Sequence, residues 1–272
     1  MYRCDCHLHT VFSHDGKATP EQMLWAAEAA ELDHIIFTEH CDCCLTSPYP
    51  PESNLVWRNI FNRDTYPAAI EALRGRSKTV KIGIGVELGE FLQDRDLAAY
   101  ALDYSWDFVL GSLHNVNKRL DFMCYEYTDP EFTFQLFCEY FAELLQMVEQ
   151  GGFDVLSHLT YVLRNVYRKG QTYDLSRHDE QIRAVLKRAA EKGIGIEVNT
   201  SGLRDVCAVV FPSLKYLRWY RELGGEIITV GSDAHRAEDL GKGIDDAIEL
   251  VRSAGFAGIT VFEQRKPILK EF

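Results

Sequence analysis

Short apolar runs rich in β-branched residues recur along this chain, and amphipathic stretches separate them, a pattern that predicts a parallel sheet built from βα units. The first run is CDCHLHT at residues 4–10. Thr19, Pro20 and Glu21 follow as an N-cap, a first-turn proline and a first-turn acid, opening a helix to about Glu31. HIIFTEH supplies a second strand ending at His40, and a Pro-rich loop leads to a helix over Thr65 to Arg74. VKIGIGVELGE reads as the third strand with Glu87 near its end, and DFVLGSLHN as the fourth, ending at His114. An amphipathic stretch from Glu131 to Glu149 precedes DVLSHLT, the fifth strand. Helices near Asp179–Glu191 and Ser213–Leu223 flank GIGIEVNTSG, and IITVGSDAH completes seven strands. A last helix, Asp245–Ser253, precedes GITVFEQRK, expected to be an edge or closing strand.

Chemistry enters through position. His7 and His9, His40, Glu87, His114, His158, Asp233 and His235 all stand near the C-terminal ends of these strands. Side chains two apart on a strand point the same way, so His7 and His9 converge. In a barrel the strand ends form one mouth, where catalytic groups collect. With Asp15 in the loop after the first strand, the set offers borderline ligands suited to two or three Zn, Mn or Fe ions. A lone strand histidine is ordinarily a satisfied packing residue, and His34 and His178 are read so. An HxH pair on the first strand together with a DxH pair on the last is not read so. His14, beside Asp15, leaves open which of the two reaches a metal.

Composition narrows the partners. The 272 residues carry 29 basic and 41 acidic side chains, a net charge of -12, so release of counterions from a nucleic acid cannot drive binding in general. No apolar run is long enough to span a bilayer, and the first residues lack the apolar segment of a leader, which places the expected site of action in the cytoplasm. Eight cysteines spread through a long chain do not make a disulfide scaffold, and Cys41, Cys43 and Cys44 lack the second half of a structural zinc site. Length alone leaves the domain count open.

The motifs HLHT, FTEH, GVE, GSLH, LSHL and GSDAH together make the sequence resemble the polymerase and histidinol phosphatase (PHP) family over nearly its whole length. The resemblance implies a single PHP domain over residues 1–272, folded as a distorted (βα)7 TIM-like barrel with a trinuclear metal site. It implies one ion at His7, His9, Glu87 and Asp233, a second at Glu87, His114 and His158, and a third at Asp15, His40 and His235. Asp15 takes a position that is histidine in some relatives. NTSGLR at 199–204 and VFP at 210–212 resemble the histidinol phosphatase branch. The expected activity is therefore hydrolysis of L-histidinol phosphate in histidine biosynthesis. A nucleotide, another small phosphomonoester or phosphotyrosine is the alternative substrate, and a non-catalytic metal-binding regulatory module the alternative class.

Divalent ions in such a site activate water and neutralise phosphate oxygens, which lets an acidic protein bind a phosphomonoester. Arg204 and then Arg164 are the candidates for the remaining phosphate oxygens, because the guanidinium fork matches them. His235 and a metal-bound water are the two candidate proton donors to the leaving oxygen, and the sequence does not choose between them. Asp42 and Glu90 are candidate acceptors for the substrate amine, and Tyr161 a candidate wall.

Overall fold

The computed structural model describes residues 1–44, 47–50 and 61–272. Seven parallel strands run in chain order: β1 (Cys4–Leu8), β2 (His34–Asp42), β3 (Lys81–Gly89), β4 (Phe108–Ser112), β5 (Val155–Leu156), β6 (Gly195–Asn199) and β7 (Ile228–Gly231). β1 closes onto the segment after β7, where the His9 amide donates to the Ala234 carbonyl at 2.8 Å and the Asp233 amide to the His7 carbonyl at 2.7 Å. The result is the distorted (βα)7 barrel, with α1 (Pro20–Ala29), α2 (Thr65–Arg74), α3 (Arg95–Leu102), α4 (Pro130–Gln150), α5 (Val162–Arg168), α6 (Asp179–Lys192), α7 (Leu214–Glu222) and α8 (Ile244–Ser253) between and after the strands. None of the described helices is long and apolar enough to cross a membrane.

Local signals explain most boundaries. Thr19 and Gln22 form a reciprocal capping box at α1, with Pro20 in the first turn. Asp129 caps α4 through the amides of Glu131 and Phe132, and Gly193 ends α6 in the left-handed conformation that glycine adopts freely. The Pro-rich loop expected after His40 runs into residues 45–46 and 51–60, outside the described residues. The helices α3 and α5 are too short to show a clear period in the sequence.

Two strand expectations differ. The fourth strand ends at Ser112 rather than His114, because its neighbour β5 has only two residues and the ladder stops at the Gly111–Leu156 pair. Beyond it the Glu90 carboxylate takes over the amides of His114 and Asn115. GITVFEQRK does not join the barrel. It supplies β8 (Gly258–Glu263), which pairs antiparallel with β9 (Lys266–Glu271) in a separate hairpin.

That hairpin covers the N-terminal ends of the strands. Arg265 donates its amide to the Asp107 carbonyl and its guanidinium to Asp154 at 2.9 Å, and these two acids directly precede β4 and β5. Phe262 stacks on Phe108 with ring centroids 4.9 Å apart. All eight cysteines are free thiols, and Cys4 and Cys6 pack fully buried in β1.

Candidate metal centre

His7 of β1 and His9, just beyond its end, both point into the barrel, where the two imidazoles are completely buried. Their Nε2 atoms lie 3.1 Å apart and both face Glu87 Oε2 at 3.3 Å. Asp233 Oδ1 stands 3.7 and 3.5 Å from the same two nitrogens. Glu87 is the hub. Its Oε2 also meets His40 Nδ1 at 2.8 Å, while its Oε1 meets His158 Nε2 at 3.1 Å and His114 Nε2 at 3.4 Å. Outside this hub, Asp15 Oδ2 lies 3.1 Å from His235 Nε2, and Asp15 Oδ1 lies 3.7 Å from His40 Nε2. All nine sequence-derived donors thus converge on one mouth, although seven different segments supply them.

The donor set fits divalent cations. Glu87 Oε2 and His40 Nδ1 are buried, face each other and make no hydrogen bond. Five imidazoles press on one carboxylate whose two oxygens cannot satisfy them all as hydrogen bonds. Multiply charged cations accept every one of these lone pairs at once. His9, His40 and His235 form one cluster with ligand-forming atoms mutually within 4.8 Å; His7, His9 and Asp233 form another, and His40, Glu87 and His114 a third. His40 therefore reaches Glu87 as well as Asp15, a sharing that the expected three-ion partition did not include.

Charge balance shows the same demand for cations. Burial disfavours a charged Glu87 carboxyl, yet His7, His40 and His114 hold it well below the usual carboxylate range. Burial likewise opposes the His7 imidazolium, but Glu197, Glu87 and Asp233 raise its pKa well above the ordinary value. Burial and the neighbouring His40 and His235 push His9 down to about 3, so its ring is neutral and ready to ligate.

Three carboxylates behind the ligands were not among the sequence candidates. Glu197 of β6, fully buried, accepts from His7 Nδ1 at 2.7 Å, the His158 amide at 2.9 Å and Asn199 Nδ2 at 3.1 Å. Gly231 makes room for it, since a Cβ there would lie 2.4 Å from Glu197 Oε1. Glu39 accepts from the Thr10 amide and hydroxyl and from Ser13 Oγ, which in turn meets His9 Nδ1 at 3.2 Å. Asp5 accepts the amides of Ser232 and Gly241, fastening β1 to the loop that bears Asp233. Their signal was available: each is a lone acid inside an apolar strand, where an unpaired charge is not tolerated.

Over the cluster opens a cavity of about 380 Å³. Arg164, Arg168, Arg236 and Lys17 border it, together with Asp42, Glu90, Asp121 and Tyr161. Arg164 lies over the Tyr161 ring at 5.0 Å, 3.9 Å from Asp233 Oδ2, with its Nε unpartnered. Tyr161 is buried against His158 and donates its hydroxyl to the His114 carbonyl at 3.2 Å. Arg204 is not among the described lining residues. Its guanidinium donates to the Ser232 carbonyl at 2.7 Å and lies 3.6 Å from Asp239, propping the loop behind Asp233. Glu90 is committed too: buried, with φ at 48°, it accepts the His114 and Asn115 amides, and burial lifts its carboxyl to about 8. Asp42 keeps its place on the cavity wall, 3.7 Å from His114 Nδ1.

A parallel barrel that collects histidines and carboxylates at the C-terminal ends of its strands, beneath a cavity edged with arginines, defines a metal-dependent hydrolase for an anionic small molecule. The PHP domain description matches residues 5–201, and the chain belongs to the PHP family. It is 31% identical to a probable histidinol-phosphatase of Clostridium acetobutylicum, across 96% of this chain and 97% of that one. It is 29% identical to a histidinol-phosphatase of Lactococcus lactis subsp. lactis, across 98% and 96% of the two chains. The crystal structure of the Lactococcus lactis histidinol phosphate phosphatase, complexed with zinc, L-histidinol and phosphate, is similar with a TM-score of 0.81, 25% identity and 98% of each chain covered.

Proposed function

We propose that this chain, as one PHP domain over residues 1–272, hydrolyses L-histidinol phosphate to L-histidinol and phosphate, a step of histidine biosynthesis. The observation that carries the reading is the pairing of the Glu87-centred donor cluster with an arginine-edged cavity, in a chain similar from end to end to histidinol-phosphatases. Two to three divalent ions, Zn, Mn or Fe, are the proposed cofactors, and His7, His9, Glu87, Asp233, His114 and His158 would hold two of them. Asp15, His40 and His235 would hold the third. When bound, such ions supply Lewis acidity, lower the pKa of water and offset phosphate charge.

The chain's own groups do the positioning. Glu197 keeps the His7 proton on Nδ1, and the Ser13 hydroxyl meets His9 Nδ1, so both rings present Nε2 to the site. Arg164, steadied over Tyr161, offers its fork to the phosphate oxygens. Asp42 is the proposed acceptor for the substrate ammonium. Where only two ions are present, His235 is the proposed proton donor to the departing alcohol oxygen: burial disfavours its charged form, but Asp15 outweighs burial and raises its pKa.

Phosphate release tests the reading, using protein loaded separately with Zn, Mn and Fe and a panel of L-histidinol phosphate, nucleotides, sugar phosphates and phosphotyrosine. A strong preference for L-histidinol phosphate is expected. Turnover of another ester alone would keep the site and discard the substrate, and a silent panel at full metal occupancy would discard the enzyme.

A further inference from the structure

At the opposite end of the barrel, between the first residues of β2 and β3 and the β8–β9 hairpin, lies a second cavity of about 810 Å³. His34, His40 and the residues between them alternate along β2, so His34 is on the inward face that carries His40 at the other end. The ring is 1% exposed and borders the cavity, and neither of its nitrogens has a hydrogen-bond partner. Gly83 of β3, which pairs with Ile36, also borders the ring: a Cβ there would stand 3.4 Å from His34 Nε2. A buried imidazole with both nitrogens unmet costs free energy that a hydrogen-bonding occupant would recover.

The charges around it point to the sign of that occupant. Asp33, Asp107 and Glu263 line the cavity, and each is engaged: Asp33 by the Arg3 amide, Asp107 by Arg74 and two backbone amides, Glu263 by Lys81. Lys78 and Lys266 also line it, are exposed, and form no ion pair among the described residues. In a protein of net charge -12, two ammonium groups without an ion pair among the described residues line one cavity with an unsatisfied imidazole.

We propose that this lower cavity is a binding site for a small anion, a carboxylate or phosphate compound, with its charged group between Lys78 and Lys266 and a hydrogen bond to His34. It is a site separate from the Glu87 centre, on the hairpin-covered face, and no candidate metal cluster among the described residues falls in it. The occupant binds without reacting there.

The test is nitrogen NMR of the zinc-loaded full chain labelled at histidine, titrated separately with succinate and with inorganic phosphate. The site-specific readout separates the two cavities, since phosphate also suits the Glu87 centre, whose His114 reports on it. Saturable movement of the His34 ring resonances at millimolar probe is expected with at least one anion, and which anion moves them identifies the class. The Lys78→Ala, Lys266→Ala double variant alters only exposed side chains and should weaken that binding about tenfold. His34 resonances unmoved by both anions, or moved equally in the double variant, would overturn the proposal.

Discussion

Glu197→Gln removes one negative charge from the barrel interior and one acceptor oxygen from three donors, and the consequence follows from where those donors sit. One carboxylate oxygen serves His7 Nδ1 at 2.7 Å, and the other serves the His158 amide at 2.9 Å and Asn199 Nδ2 at 3.1 Å. A glutamine has one oxygen and one NH2. If its oxygen stays on the His7 side, two buried donors face an NH2. If it turns to the His158 side, the NH2 faces His7 Nδ1, which must then accept, and the ring proton moves to Nε2. The second arrangement leaves fewer donors unmet, at roughly 1–3 kcal/mol each, and is expected to prevail. It places a proton on the nitrogen that points at Glu87, Asp233 and His9, and so competes with a cation. Metal affinity should fall about 10- to 100-fold, equivalent to roughly 1.4–2.7 kcal/mol. Chelator competition on purified protein gives the affinity, histidine NMR the tautomer, and L-histidinol phosphate hydrolysis the rate, which should recover at high metal. Wild-type metal affinity with an unchanged His7 tautomer would refute the reasoning.

The two arginines should separate. Arg164→Met, bordering the cavity, should lower kcat/KM about 10- to 100-fold by loss of a charge-assisted contact, whereas Arg204→Met should leave KM for the substrate near wild type and show as lower thermal stability; a large KM rise in Arg204→Met alone would reverse the assignment. Asp15→Ala should remove part of the bound metal and lower the rate about tenfold or more, and metal analysis that finds full content at an unchanged rate would show that Asp15 holds nothing. Burial, helped by Lys81 and opposed by Glu263 and Asp107, holds His34 down at about 4. Because the unfolded value is higher, about 6.5, the unfolded chain takes up the proton first as pH falls. That stability is present above pH 6.5 and lost toward pH 4, at most on the order of 3 kcal/mol, and urea titrations should show His34→Gln less acid-sensitive than wild type. Gln264 and Arg265, both at positive φ of 50° and 61° in the hairpin turn, predict a gain of about 0.5–1 kcal/mol for Gln264→Gly, read by calorimetry.

Much of the site was legible because strand period and strand end together tell where a side chain points. His7, His9, His40, Glu87 and His158 needed no further information to be gathered at one mouth. What sequence could not show is which neighbour a side chain chooses once the chain turns. Arg204 lies close to the site in the chain, but the short turn after β6 aims it at carbonyls behind Asp233. Glu90 reads as a free acid and instead replaces the ladder that β5 is too short to provide. Glu39 and Glu197 look like interruptions of apolar strands until the imidazoles and hydroxyls they serve are placed beside them. The eighth strand has the composition of a sheet edge, and tertiary contacts such as those of Arg265 with Asp107 and Asp154 and of Phe262 with Phe108 draw its hairpin under the barrel.

The seam between β1 and β7 has a consequence for how the protein is made. Asp5 binds the Ser232 amide across 227 positions, and His7 and His9 meet Asp233 over the same join. A ribosome must therefore emit the chain through Asp233 and His235 before the metal centre exists, and until then nascent protein carries the first histidines as orphans. Cations that bridge the join act as a clasp on a ring, favouring the closed form over every open one. Cells starved of the metal should accumulate chains that protease cuts readily near either end of that join, and adding the metal after synthesis should restore resistance.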